Sequence, residues 1–192
     1  MYSVDWFSQY IKNWEIWLAE FKGKPNLKFL EIGCFEGKAT VWLLENILTH
    51  TTSKIYTIDT FGGGMEDGDK GAYFSKDAEK NYIQNIAPFR GKVITYRGVS
   101  QEVLRNLWFE APDFDFIYVD GSHRSPEVLE DIVLSWGMLK KNGLMICDDY
   151  KLERYPEPLL NPKMGIDAFF AINKGKYRLI NNQSQLVAVK TA

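Results

Sequence analysis

Apolar and polar positions follow two rhythms along this chain. Phe7, Tyr10, Ile11, Trp14, Trp17, Leu18 and Phe21 recur at helical spacing. They predict one amphipathic helix from about Val4 to Phe21, closed by Gly23-Lys24-Pro25-Asn26. Beyond it, short apolar runs alternate with longer helical patterns. Strands are predicted over Lys28–Ile32, Lys54–Asp59, Lys92–Tyr96 and Asp115–Val119, and from Gly143 into Asp148-Asp149. Helices are predicted from about Ala39 to Leu48, Tyr73 to Ile86, Pro126 to Leu139 and Gly165 to Asn173, with Lys140-Lys141-Asn142-Gly143 capping the third. The run Phe116–Val119 is apolar throughout, which suits a strand buried on both faces. Lys176–Ile180 and Gln185–Lys190, joined through Asn181-Asn182-Gln183-Ser184, read as a closing hairpin. The pattern is that of a doubly wound α/β sheet. It is expected to form one domain over residues 1–192, with 1–24 as a covering helix and 25–192 as the core.

Composition narrows this picture. The 192 residues suffice for one domain with a substantial core, and 45% hydrophobic content rules against disorder. A net charge of −2 argues against general attraction to nucleic acid. Cys34 and Cys147 fall in or beside predicted strands and read as small buried hydrophobes, not a disulfide pair. No apolar run is long enough to span a bilayer, and no basic region followed by an apolar core opens the chain. A cytoplasmic location is expected.

Candidate chemistry gathers where predicted strands end. The first strand runs into Glu31-Ile-Gly33-Cys34-Phe35-Glu-Gly37, a glycine turn leading into a helix. Such a turn lets backbone approach a ligand, and a helix start offers unpaired N–H groups. The turn is no phosphate loop, because three residues separate its glycines and Lys38 is followed by Ala39. Nor is it the dinucleotide fingerprint, because Phe35 fills the second glycine's place. Glu31 adds a carboxylate suited to a ligand with positive charge or free donors. Asp59, with Thr60 beside it, ends the second strand and can accept ribose hydroxyls. Asp120 and His123 follow the fourth strand, and Asp148 and Asp149 the fifth.

The series Glu31-x-Gly33-x-x-x-Gly37, Asp59, Gly98-x-Ser100, Asp120-Gly-x-His123, Lys141-Asn-Gly143-Leu and Asp148-Asp149 resembles the class I S-adenosylmethionine-dependent methyltransferases over roughly residues 25–150. It is most similar to those acting on small-molecule hydroxyls, the macrocin O-methyltransferase and catechol O-methyltransferase-like subgroups. The resemblance implies a Rossmann-like seven-stranded sheet of order 3-2-1-4-5-7-6, with only the last strand antiparallel. It implies cofactor contacts from Glu31, Gly33, Cys34, Phe35, Gly37, Asp59, Thr60, Gly98, Ser100, Gln101 and Asp120, with Ser100 and Gln101 at the adenine; Asp59 and Ser100 could instead only cap helices.

Asp120, Asp148 and Asp149 could together bind a hard cation such as Mg²⁺, since clustered carboxylates without one repel. Asp148 or Asp149 could instead cap a turn. His123, with Asp120 the candidate catalytic pair, could take a hydroxyl proton, ligate metal, or hold its loop. His50 reads as a surface residue. Base-amine methyltransferases usually carry an (Asn/Asp)-Pro-Pro-(Tyr/Phe) motif where this chain has Asp120-Gly-Ser-His123. The expected partner is therefore a small-molecule hydroxyl substrate, not nucleic acid or membrane.

Residues 61–69 read as a mobile lid or substrate loop, or equally as an ordinary surface excursion. Acceptor recognition is expected from the 61–75 loop, from residues 151–162, or from a second copy in a homodimer. Aromatics of the first helix either pack on the sheet or cover the mouth. Two rival readings stay open. One is a cofactor-binding subunit without activity that supports a partner enzyme, favoured if Trp6 or Trp14 is exposed. The other is a nicotinamide oxidoreductase, disfavoured by Phe35.

Overall fold

A computed structural model describes residues 2–63, 77–110 and 113–192. Among them, β1 (Lys28–Ile32), β2 (Lys54–Asp59), β3 (Val93–Arg97), β4 (Phe114–Val119), β5 (Leu139–Cys147), β6 (Tyr177–Asn182) and β7 (Leu186–Lys190) form one sheet of order 3-2-1-4-5-7-6. The first five strands are parallel, and β7 is antiparallel to both β5 and β6. This is the expected topology. Helices α1 (Ile11–Trp17), α2 (Lys38–Asn46), α3 (Ala78–Ile86), α4 (Ser100–Glu110), α5 (Ser125–Trp136) and α6 (Pro162–Ile172) accompany it.

Alternation along each strand explains the two layers. On one face Phe29, Ile55, Phe116 and Ile146 pack with Trp14, Leu18 and Leu43. On the other, Leu30, Ile32, Ile117 and Met145 pack with Leu104, Ile132 and Phe169. Each such fully buried side chain contributes on the order of 1.5–3 kcal/mol. Truncating Phe116 to Ala would cost roughly 3–5 kcal/mol. β1 has β2 on one side and β4 on the other, so the winding direction reverses there. That reversal opens a crevice beyond the strands' carboxyl ends.

Three expectations need correction. The predicted Val4–Phe21 helix is a short α1 flanked by 3₁₀ turns at Ser8–Tyr10 and Ala19–Phe21. The Asp5 side chain accepts the Ser8 N–H at 2.9 Å, a local bond that competes with helix and leaves the preceding residues free to run elsewhere. Second, α5 stops at Trp136, and residues 140–143 belong to β5 instead of capping a helix. Lys140 pairs with Asp115 at 2.8 Å, and Asn142 takes φ 65° where the β4–β5 register shifts. Third, α6 begins at Pro162, whose fixed φ suits a first helical turn. Most of the expected lid and the start of the helix predicted from Tyr73 lie outside the described residues.

Candidate functional site

The glycine turn is built around Asp59. Its Oδ2 accepts the backbone N–H groups of Cys34 and Phe35 at 2.8 and 2.7 Å, and its Oδ1 accepts that of Phe61 at 2.7 Å. One carboxylate at the end of β2 thus holds two loops, and one lone pair of Oδ1 remains for a ligand hydroxyl. These bonds help hold Phe35 at φ 47° and Phe61 at φ 53°, conformations uncommon for aromatic residues. Gly33, at φ 81°, is demanded by protein: a Cβ there would sit 2.0 Å from the Asp120 carbonyl oxygen. Gly37 caps α2 and faces the Tyr82 ring.

Glu31 is buried at the end of β1 and accepts a 2.5 Å hydrogen bond from Thr40 Oγ1. Burial pushes its pKa up to about 8; the Thr40 bond opposes this, and the Asp59 charge adds to it. A cationic ligand beside it would draw the proton off.

The tips of β4 and β5 differ in kind. Tyr118 Oη lies 2.8 Å from Asp120 Oδ2 and 2.5 Å from Asp148 Oδ2. A phenol has one proton, so it cannot donate to both carboxylates at once. The trio therefore needs a second proton or a cation. Burial, then the charges of Asp148 and Asp149, hold the Asp120 carboxyl well above the usual carboxylate range. Burial and Asp149 push Asp148 up to about 6. Asp149, at φ 57°, donates its N–H to Asp148 Oδ1 and sets its own Oδ2 3.2 Å from His123 Nε2. Among the described residues, no three His, Cys, Asp or Glu side chains form a ready metal cage.

These parts line one cleft of about 440 Å³. Of the residues expected from sequence, it contains Glu31, Gly33, Cys34, Phe35, Asp59, Thr60, Gly98, Ser100, Gln101, Asp120, His123 and Asp148. Gly37 and Asp149 are not among its lining residues. Sequence reasoning missed Tyr118, Lys38, Arg124 and Glu127, which also line it. Tyr118 carried a signal: it precedes Asp120 by two on a strand, so both side chains point to one face. The chain ahead of α1 covers the opening. Ser3 N–H bonds Glu36 Oε2 at 2.6 Å, Asp5 pairs with Lys38, and the Trp6 ring packs tilted against Phe35 with centroids 5.4 Å apart. The first-helix aromatics divide between the two expected roles. Trp6 covers the mouth and is 52% exposed, whereas Trp14 is wholly buried against Tyr118. Cys34 and Cys147 are buried and form no disulfide, and His50 bonds Thr52 in a turn.

A seven-stranded sheet with its acids at one carboxyl edge defines the class. A family model described as a methyltransferase domain matches residues 30–150, well over half of the chain. The protein belongs to that methyltransferase family. An uncharacterized protein of Acanthamoeba polyphaga mimivirus is 26% identical over 161 residues, 83% of this chain and 67% of its own.

Among solved structures, the Bacillus cereus O-methyltransferase in complex with S-adenosylhomocysteine superposes with a TM-score of 0.72 at 15% identity, covering 100% of this chain and 84% of that one. The O-methyltransferase NovP gives 0.68 at 17%, covering 95% and 79%. MycE, of the mycinamycin biosynthetic pathway, in complex with Mg, S-adenosylhomocysteine and mycinamycin VI, gives 0.67 at 15%. That match covers 98% of this chain but 51% of MycE.

Proposed function

We propose that this methyltransferase uses S-adenosylmethionine to methylate a hydroxyl of a small molecule such as a sugar. One observation carries the reading: Glu31, Asp59, Asp120 and His123 share a single cleft at the carboxyl edge of β1, β2 and β4. Relatives of this fold that bind S-adenosylhomocysteine support it, though fold alone does not choose the acceptor.

The residues present fit the cofactor. Asp59 keeps an acceptor position for a ribose hydroxyl, Gln101 lines the same cleft, and Glu31 offers negative charge. Bound there, the cofactor supplies a methyl carbon on positively charged sulfur, open to in-line displacement by oxygen, with the C–S electron pair returning to sulfur. Glu31, ionised by that positive charge, favours the cationic form over the neutral product. His123 takes the acceptor's hydroxyl proton. Asp149, whose Oδ2 lies 3.2 Å from His123 Nε2, stabilises the imidazolium that results. Trp6 and Phe35 wall the acceptor's entry.

A hard cation, if the enzyme uses one, would be held by Asp120 and Asp148, whose carboxylates converge on the Tyr118 hydroxyl, and it would lower the pKa of a bound hydroxyl. The rival reading, a cofactor-binding subunit that supports a partner enzyme, keeps one of its two signals: Trp14 is core, but Trp6 is exposed at the cleft wall.

The test is transfer of labelled methyl from S-adenosylmethionine to a panel of sugars and other hydroxyl compounds, with and without chelator. Hydroxyl methylation is expected. Cofactor binding without transfer to any acceptor would overturn the hydroxyl assignment. Turnover untouched by chelator and by the double substitution Asp148→Asn with Asp149→Asn would remove the cation.

A further inference from the structure

Asp131 has no part in the chemistry described above, yet it is a wholly buried acid in the middle of α5. Its Oδ2 is buried with no hydrogen-bond partner among the described residues and lies against Gly121. Its Oδ1 accepts the Gln101 amide Nε2 at 2.8 Å. An unsatisfied buried carboxyl oxygen costs roughly 1–3 kcal/mol, so this acid is poorly explained by stability.

The Gln101 amide shows what the acid does. Gln101 opens α4, is itself buried, and lines the cleft. Its Nε2 also reaches the Glu127 backbone carbonyl at 3.4 Å. Both partners of that NH₂ group are acceptors at these atoms, so the flipped amide would set its oxygen against two oxygens. The two N–H groups are therefore committed to protein. The carbonyl Oε1 accepts no hydrogen bond among the described residues, and it is the only function Gln101 has left for a ligand.

We propose that Asp131 is a positioning residue that locks Gln101 as a hydrogen-bond acceptor, so that this wall of the cleft selects a cofactor base carrying an exocyclic amine. The inference rests on the S-adenosylmethionine reading and deepens it. Adenine presents such an amine. Hypoxanthine presents a carbonyl at the same place, and two acceptors would then face each other. A protonated Asp131 could donate to the Oε1 of a flipped Gln101, so the lock is fullest with the carboxyl ionised.

The experiment is calorimetry of S-adenosylhomocysteine and of its deaminated analogue, S-inosylhomocysteine, on the full chain. Wild type is expected to prefer the adenine compound by about tenfold to a hundredfold, the effect of one mismatched buried hydrogen bond. Asp131→Leu releases the amide and is expected to bring the ratio below about threefold, while Asp131→Asn, whose carbonyl still accepts from Nε2, keeps most of it. Gln101→Leu removes the amide and leaves Asp131 in place. It is expected to abolish the preference, and it decides the matter if Asp131→Leu does not fold. A wild type without preference overturns the proposal, as does Gln101→Leu, or folded Asp131→Leu, that keeps it. Failure of S-adenosylhomocysteine to bind at all would overturn the cofactor reading as well, whereas binding without preference would overturn only the lock.

Discussion

The two ends of the cleft treat their carboxylates in opposite ways. At the glycine-turn end, Asp59 is held by three backbone N–H groups and Glu31 by Thr40. At the β4–β5 end, Asp120 and Asp148 converge on a single phenol proton. Both carboxylate oxygens of Asp59 are engaged before any ligand arrives, which suits a cofactor bound in one pose. The second end carries unresolved charge, which suits a place where a proton or cation is exchanged. Rigidity and tension thus sit at opposite ends of one pocket, each set by what the local backbone donates.

Substitutions at the two ends should therefore change stability with opposite sign. Asp59→Ala strips three donors of their acceptor and frees both loops. It is expected to cost about 3–5 kcal/mol, hence a Tm drop on the order of 10 °C, and to weaken S-adenosylhomocysteine binding at least a hundredfold by calorimetry. Asp120→Asn relieves repulsion, so its Tm is expected to hold or rise while methyl transfer is lost. A large Tm fall in Asp120→Asn would break the contrast.

His123→Ala is expected to lower transfer by roughly 10²–10³, with cofactor affinity kept within about threefold. Equal losses in both would assign His123 to binding instead.

Glu31 sharpens the comparison through pH. Its folded pKa of about 8 exceeds the ordinary 4.5, so the folded state binds the extra proton in between. The stability this proton confers is fully present below pH 4.5 and is lost as pH rises through about 8. Its decline is at most roughly 1.4 kcal/mol for each tenfold fall in proton concentration, and Glu31→Gln is expected to flatten it in the ligand-free protein. An unchanged slope in urea titrations from pH 5 to pH 9 would contradict the burial argument. The smallest effect is expected at the mouth: Trp6→Ala should raise the acceptor's KM about two- to fivefold and leave the Tm within roughly 2 °C.

Much of this was legible in the sequence, because the chemistry sits at strand ends and strand ends are marked by periodicity. Glu31, Asp59, Asp120 and Asp148 each close an apolar run, so placing the strands placed the acids. The sheet order followed from the motif series. What escaped notice depends on neighbours distant in the chain. Tyr118 looked like one more apolar strand residue until β5 brought Asp148 beside its hydroxyl. Asp131 lay in an ordinary amphipathic helix, and only the packing of α4 on α5 joins it to Gln101. The helix predicted from Val4 failed because one side-chain bond, Asp5 to the Ser8 N–H, outcompeted a periodicity that pointed the other way.

The most direct test of the central claim is a crystal structure of the protein grown with S-adenosylhomocysteine. The account expects ribose hydroxyls on Asp59, the base edge on Gln101 Oε1, and the sulfur between Glu31 and the Asp120–His123 wall. Density for the nucleoside outside that cleft, or ribose turned away from Asp59, would contradict it.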